Sequence, residues 1–370
     1  MIGLDRNEEL QIKLERVRDL LKQHELSGLL LKKQPNFSWL TAGGLNMVGF
    51  ATEMGMTSIL VTETDLYVIA NRIEAERMMD EEGLKELGFK LLTHEWFEDK
   101  EANLVKEVVG DAPVGCDVQL DGFKYVEPDI KELRYSLTEA EIERYLFLGA
   151  RASYAMEKVL YEVKPGDSEA EIVGRLSEEL WKNRIDPTGF IIAADERIRL
   201  YRHPIPTMKR VEKCLMLSVN ARYRGLIASI TRFLYFGPLS HEFARQYRDN
   251  VEIECLMIAK TEVGKEMNIP FMAGLKRYEE LGYPDEWKLH HQGGATGYSA
   301  RDIKVNESTT QRVQENQAFC WNPSITGTKS EDVFIATRSG PLMVSKPVIF
   351  PVMQMEVEGI EFTRPSILVR

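Results

Sequence analysis

Leu10, Leu14, Val17, Leu20 and Leu21 recur at three- and four-residue intervals among charged residues, so residues 8–25 read as an amphipathic helix with one buried face. Short apolar runs rich in β-branched side chains come next. SGLLLK, TSILVT over 57–62 and LYVIA over 66–70 read as strands, and RIEAERMMDEEGLKELG returns to helical spacing. The first third is therefore a small α/β domain. The pattern then loosens until Thr138 and Glu141, whose spacing fits a capping box at the start of a helix. This places a domain boundary near Ser136 and divides the chain into residues 1–136 and 137–370.

The second part opens on a helix over about 138–163, breaks at KPGDS and restarts over 168–182, with Asp167 or Ser168 as N-cap. GFIIA, then CLMLSVN over 214–220, a tight ARYRG connection and LIASITRFLYFG over 226–237 fit antiparallel strands joined by a glycine turn. Helical spacing returns over 241–260 and 270–281, and the remaining residues are mostly strand-like. Segregated helices and antiparallel strands indicate an α+β fold.

The chain has 370 residues, enough for about two domains, and 58 acidic against 47 basic residues give a net charge of −11. With no basic run, this charge argues against nucleic-acid and anionic-membrane partners. The apolar runs are far shorter than the ~20 residues of a spanning helix. The N-terminus turns charged at once, unlike a signal peptide, so the expected location is cytoplasmic. Cys116, Cys214, Cys255 and Cys320 have no paired spacing and read as buried free thiols.

Polar residues inside apolar strand runs are the informative ones, because burying them is costly unless they are paired or functional. His203 lies between Arg202 and Pro204, in a rigid setting suited to proton transfer, although a loop histidine also serves as a packing residue. His290 and His291 precede Gly293 and Gly294; if they lie on a strand, only one of them faces a site. Glu331 and Asp332 stand before VFIAT, where alternation again lets one look inward and a solvated turn is the alternative.

The order RHPIPT, ARYRG with SITR, HHQGG, WNPS and SEDVFIATRSG resembles the creatinase/aminopeptidase P group of pita-bread proteins, over nearly the whole chain. NFSWLT and LYVIANRIEAER are similar to that group's smaller N-terminal domain. The resemblance implies a C-terminal pita-bread domain, a homodimer, and in the metallopeptidases two divalent metals held by two Asp, one His and two Glu. On this chain those positions fall on Ser218, Ser229, His291, Asn322 and Glu331. Hard divalent cations need anionic oxygen ligands, and Ser, Ser and Asn are neutral, so no metal and no other cofactor is expected.

Creatinase implies a metal-free precedent for C–N hydrolysis. The leading reading is thus a metal-independent, creatinase-like hydrolase of a small cationic or zwitterionic substrate. By that resemblance His203 is the general acid/base, Glu331 binds the substrate cation, and His291 completes the catalytic set. Ser218, Ser229, Asn322 and Tyr298 would line the old metal pocket, and Arg202 and Arg232 would either bind a substrate carboxylate or form structural ion pairs. The alternatives are an Xaa-Pro aminopeptidase or dipeptidase with a divergent site, acting on a dipeptide-like substrate, and a catalytically silent ligand-binding member.

Overall fold

The N-terminal amphipathic pattern becomes α1 (Arg6–Gln23), which buries Leu10, Leu14, Val17, Leu20 and Leu21. In this computed structural model residues 5–370 are described; residues 1–4, where the reading of the N-terminal start begins, lie outside the described residues. The chain forms two compact units, Met1–Glu141 and Ile142–Arg370.

In the first unit, β1 (Gly28–Lys33) leads through α2 (Gln34–Leu40) to β2 (Met54–Thr62) and β3 (Leu66–Asn71). Then come α3 (Ala75–Asp80), β4 (Lys90–His94), α4 (Glu101–Val109), β5 (Val114–Cys116), β6 (Lys124–Tyr125) and α5 (Glu127–Leu133). The strands make one mixed sheet in the order β4-β3-β2-β1-β5-β6. The helical pattern after β3 yields only the short α3, because Gly83 and Gly88 adopt positive φ, a conformation that ends a helix. Lys13 sits among the apolar residues of α1, fully buried. It is neutralised by Glu9 at 2.5 Å and Glu141 at 2.9 Å. The Glu141 carboxylate also accepts from the Thr138 backbone N–H at 2.8 Å, completing the expected capping box.

In the second unit, α6 (Glu139–Glu162) is followed by α7 (Glu169–Trp181), and Ser168 rather than Asp167 is the N-cap, in a capping box with Glu171. The strands β7 (Asp186–Ala194), β8 (Cys214–Tyr223) and β9 (Leu226–Tyr235) are antiparallel, with the short α8 (Arg197–Leu200) after β7. The β8–β9 turn needs only Arg224 and Gly225, both at positive φ, as a two-residue hairpin turn requires. Next come α9 (His241–Ala259), α10 (Asn268–Glu280), β10 (Gly293–Ala295), β11 (Gln317–Trp321), β12 (Ser324–Ile325), β13 (Thr328–Lys329), β14 (Asp332–Thr337) and β15 (Gly340–Met343). The chain ends with β16 (Val352–Val357), β17 (Ile360–Pro365) and β18 (Leu368–Val369). Two four-stranded sheets result, β18-β9-β8-β7 and β10-β11-β14-β15. They meet where the Thr231 N–H donates to the Glu331 carbonyl at 3.1 Å. Trp321, Phe233, Phe319, Phe334 and Tyr247 fill the core around this junction.

All four cysteines are buried free thiols. No helix of the described residues is long and apolar enough to cross a membrane.

Behind the junction lies a buried chain of charges. Arg232 contacts Glu157 at 3.4 Å and Asp332 at 3.1 Å, and Arg364 contacts Asp332 at 3.1 Å and Glu254 at 2.5 Å. Arg232 is therefore a structural ion-pair residue, fully buried, and not a binder of substrate carboxylate. Removing one partner of such a network leaves an uncompensated buried charge and costs about 3–5 kcal/mol. Arg232→Ala is expected to lose that much stability in chemical denaturation.

Candidate functional site

Three histidines converge beside the junction. His203 follows α8 on the loop that leads to β8, and His290 and His291 follow a short 3₁₀ turn (Glu286–Leu289). Neither His290 nor His291 belongs to β10, which starts at Gly293. Strand alternation thus does not separate them, contrary to expectation. Their rings stack at 4.4 Å and 27°, and His203 Nε2 lies 2.9 Å from His290 Nε2. All three rings line a cleft of about 550 Å³, together with Trp287, Phe271 and Lys304.

Gly293 and Gly294 hold the following backbone flush against its neighbours. They sit at φ of +101° and +145°, and an added Cβ would come within 2.2 Å of the Cys320 and Ile303 carbonyl oxygens respectively. No other residue type fits there without moving backbone.

The imidazoles are poised as neutral groups. Burial, then the Lys329 charge, lowers the His290 pKa to about 2. Burial, then Arg301, lowers His291 to about 4. His203 is exposed to the cleft and is lowered for the same reasons, burial first and Lys329 second.

Glu331 lies deeper. Its Oε1 accepts from Arg301 Nη2 at 2.9 Å, and its Oε2 accepts from Thr231 Oγ1 at 2.8 Å and pairs with Lys329 Nζ at 2.8 Å. Burial alone would raise the pKa of this carboxyl. Lys329 and Arg301 outweigh burial and hold it well below the usual carboxylate range. Both oxygens are committed inside the protein, so Glu331 is not offered to a substrate cation as the resemblance implied. Asp332, its neighbour, is also buried and faces the ion-pair network. The acidic pair is no solvated turn.

The remaining expected residues divide between this cluster and the cleft. Ser218 Oγ is 2.7 Å from Thr231 Oγ1, and Ser229 Oγ donates to Asn220 Oδ1 at 2.7 Å and accepts from Arg301 Nη1 at 3.3 Å. Asn322 is buried, and its Oδ1 has no hydrogen-bond partner among the described residues. Tyr298 is buried in the loop after β10. Arg202 borders the cleft, but its Nη2 is held by Glu286 at 2.6 Å and Thr326 at 2.7 Å.

Sequence reasoning missed Arg301, Lys329 and the His203–His290 contact. Arg301 lies in SARD, a few residues after HHQGG, and Lys329 immediately precedes SEDVFIATRSG. A lone Glu in an apolar pocket needs a counter-cation, which is the signal that could have found them.

The sequence pattern of metallopeptidase family M24 matches residues 145–344. The chain belongs to metallopeptidase family M24, a family of hydrolases. It is 22% identical to a protein of Pyrococcus horikoshii named Xaa-Pro dipeptidase, over 90% of this chain and 97% of that one. Among solved structures, an Xaa-Pro dipeptidase from Bacillus anthracis has a TM-score of 0.76 at 20% identity, covering 91% of this chain and 98% of its own. Dipeptidase PepE from Mycobacterium ulcerans has a TM-score of 0.78 at 15% identity, covering 98% and 99%. The fold is the M24 pita-bread fold with a smaller N-terminal unit.

The residues that the resemblance puts at the M24 metal positions do not fit a two-metal centre. Ser218, Ser229 and Asn322 are neutral, both Glu331 oxygens are occupied, and Arg301 and Lys329 already place two positive charges in the pocket. Two divalent ions would add four more positive charges without one free carboxylate to receive them.

The pairing of Glu331 yields a pH-dependent expectation. Because its folded pKa is depressed, its stabilising contribution is full above the unfolded value of roughly 4.3 and is lost as pH falls through the folded value. Lys329→Met leaves the carboxylate under-paired and raises its pKa. The variant is expected to lose about 3–5 kcal/mol at pH 8 and less near pH 5, where the carboxyl can take a proton, as urea denaturation at the two pH values would measure.

Proposed function

We propose that the protein hydrolyses a C–N bond of a small, dipeptide-sized substrate by imidazole proton transfer, without the two-metal centre of its family, and that Xaa-Pro dipeptides are the first substrate class to test. The observation that carries this reading is the pairing of Glu331 with Arg301 and Lys329 beside three histidines whose pKa values are lowered. The similarity to a named Xaa-Pro dipeptidase over nine-tenths of the chain supports the substrate class, and the cleft volume of about 550 Å³ suits a molecule of that size.

Each group then has a task. The His203–His290 pair takes one proton from an attacking water and returns it to the leaving nitrogen. Arg301, Lys329 and Glu331 together carry one excess positive charge, which favours a substrate carboxylate or a developing oxyanion nearby over a substrate cation. Asn322 Oδ1, which has no hydrogen-bond partner among the described residues, is the acceptor this reading would use for a substrate N–H.

The competing reading is an Xaa-Pro dipeptidase that works with metal, favoured by the names of its relatives. Assays of Xaa-Pro dipeptides and N-acyl amino acids, with and without EDTA, separate the two. Turnover is expected to be indifferent to chelator, and His203→Ala is expected to lower kcat by at least about 10²-fold. Turnover that requires manganese or cobalt, with two ions bound per chain, would establish the metallopeptidase instead.

The lowered pKa of His203 fixes the direction of the pH profile. The base is active when unprotonated, so log kcat/KM is expected to stay level from pH 8 to below about 6.5, the usual histidine value, and to fall only at more acidic pH. A profile already falling at pH 7 would contradict this assignment of the base.

A further inference from the structure

The three histidines form a donor set that shares only His291 with the positions to which the resemblance assigns the family's metal ligands, and none of its carboxylate positions. Their nearest ring nitrogens all lie within 4.8 Å of one another, with the His203 and His290 Nε2 atoms 2.9 Å apart. A tetrahedral zinc with bonds of ~2.0–2.1 Å holds its ligand nitrogens about 3.3 Å apart. The set therefore needs the first pair to open by a few tenths of an ångström and the third ring to move inward by no more than about 1.5 Å. His203 is exposed on its loop and free to adjust. His290 is only 8% exposed, and Nδ1 of both His290 and His291 is buried without a hydrogen-bond partner. Among the described residues, ligation through the Nε2 atoms of His203 and His290 would break the hydrogen bond between them and no contact of the two buried Nδ1 atoms. Three imidazoles with a fourth position open to a cleft are an arrangement that suits zinc and its borderline neighbours rather than magnesium or calcium.

We infer that His203, His290 and His291 bind a single zinc-class ion whose occupancy takes the proton-accepting nitrogen of His203 and switches hydrolysis off. Lys329, Lys304 and Arg301 face the same cluster and Glu331 offsets only one of them, so the ion is held more weakly than it would be with a carboxylate ligand. Weak, reversible binding is what a regulatory ion requires. The inhibitory part rests on the proposed function; the binding part does not.

The test therefore reads binding directly. Chelator-treated full-length protein is titrated with zinc by calorimetry and with cobalt by its visible absorption. One ion per chain and a tetrahedral cobalt spectrum are expected. His203→Asn, on an exposed loop where folding is not at stake, and His290→Ala are each expected to weaken zinc binding at least about tenfold, whereas Asn322→Ala changes it less than twofold. Thermal melts without metal confirm that each variant is folded. Absence of 1:1 binding, or binding unchanged in His203→Asn and lost in Asn322→Ala, overturns the site. If binding occurs and turnover is seen but zinc does not inhibit it, the switch fails while the site stands. If no substrate is turned over, the proposed function fails and the binding result is unaffected.

Discussion

A carboxylate sealed from water has to be matched by positive charge, and much of the second unit is arranged around how Glu331 is matched. In this chain the matching cations are side chains of the protein itself. Arg301 arrives from the loop after β10, Lys329 from β13 two residues upstream of Glu331, and Thr231 from β9. The same carboxylate thus draws together a loop, β9 and β13, and the backbone bond from Thr231 to the Glu331 carbonyl closes the junction. An ion can leave when it is chelated; an arginine and a lysine cannot.

The neighbouring residue completes the electrostatics. Asp332 turns the opposite way and joins Arg232, Arg364, Glu157 and Glu254, a group with one more negative than positive side chain. The Glu331 group has one more positive than negative. The two clusters adjoin through consecutive residues, so the local charge is near balance while each cluster keeps a residual sign. Burying this many charges is tolerable because nearly every one is paired and hydrogen-bonded. Two adjacent acidic residues can both be interior here because each faces its own pair of cations.

Periodicity located most of the fold. The leucine face of α1, the capping box at Thr138, the Ser168 restart and the Arg224–Gly225 hairpin are local matters, settled by spacing and by turn chemistry that a sequence displays. The candidate site was legible only in part. His203, His291, Ser218, Ser229, Asn322 and Glu331 were named as candidates by motif, but what each one does depends on partners distant in sequence. Arg301 lies 30 residues before Glu331 and His290 lies 87 after His203, and no local pattern announces such contacts. Alternation misled at His290 and His291 because it holds only within a strand, and both precede β10.

Burial and the nearby cations, which lower the histidine pKa values, also make the imidazoles weaker bases, since a depressed pKa lowers proton affinity as much as it raises the fraction of active form. At neutral pH an ordinary histidine is already mostly unprotonated, so little is gained in population and some driving force is lost. The compensation must come from the other end of the reaction. In the proposed hydrolysis, attack of water on an amide carbon would place negative charge on oxygen, and the surplus cation of the Glu331 cluster, held in a low-dielectric setting, is the group that would stabilise that charge without reorganising. A weakened base beside a preorganised cation is a consistent pair for the proposed reaction: Lys329, which adds to burial in lowering the basicity of His203 and His290, would also lower the energy of the intermediate that the first step leads to.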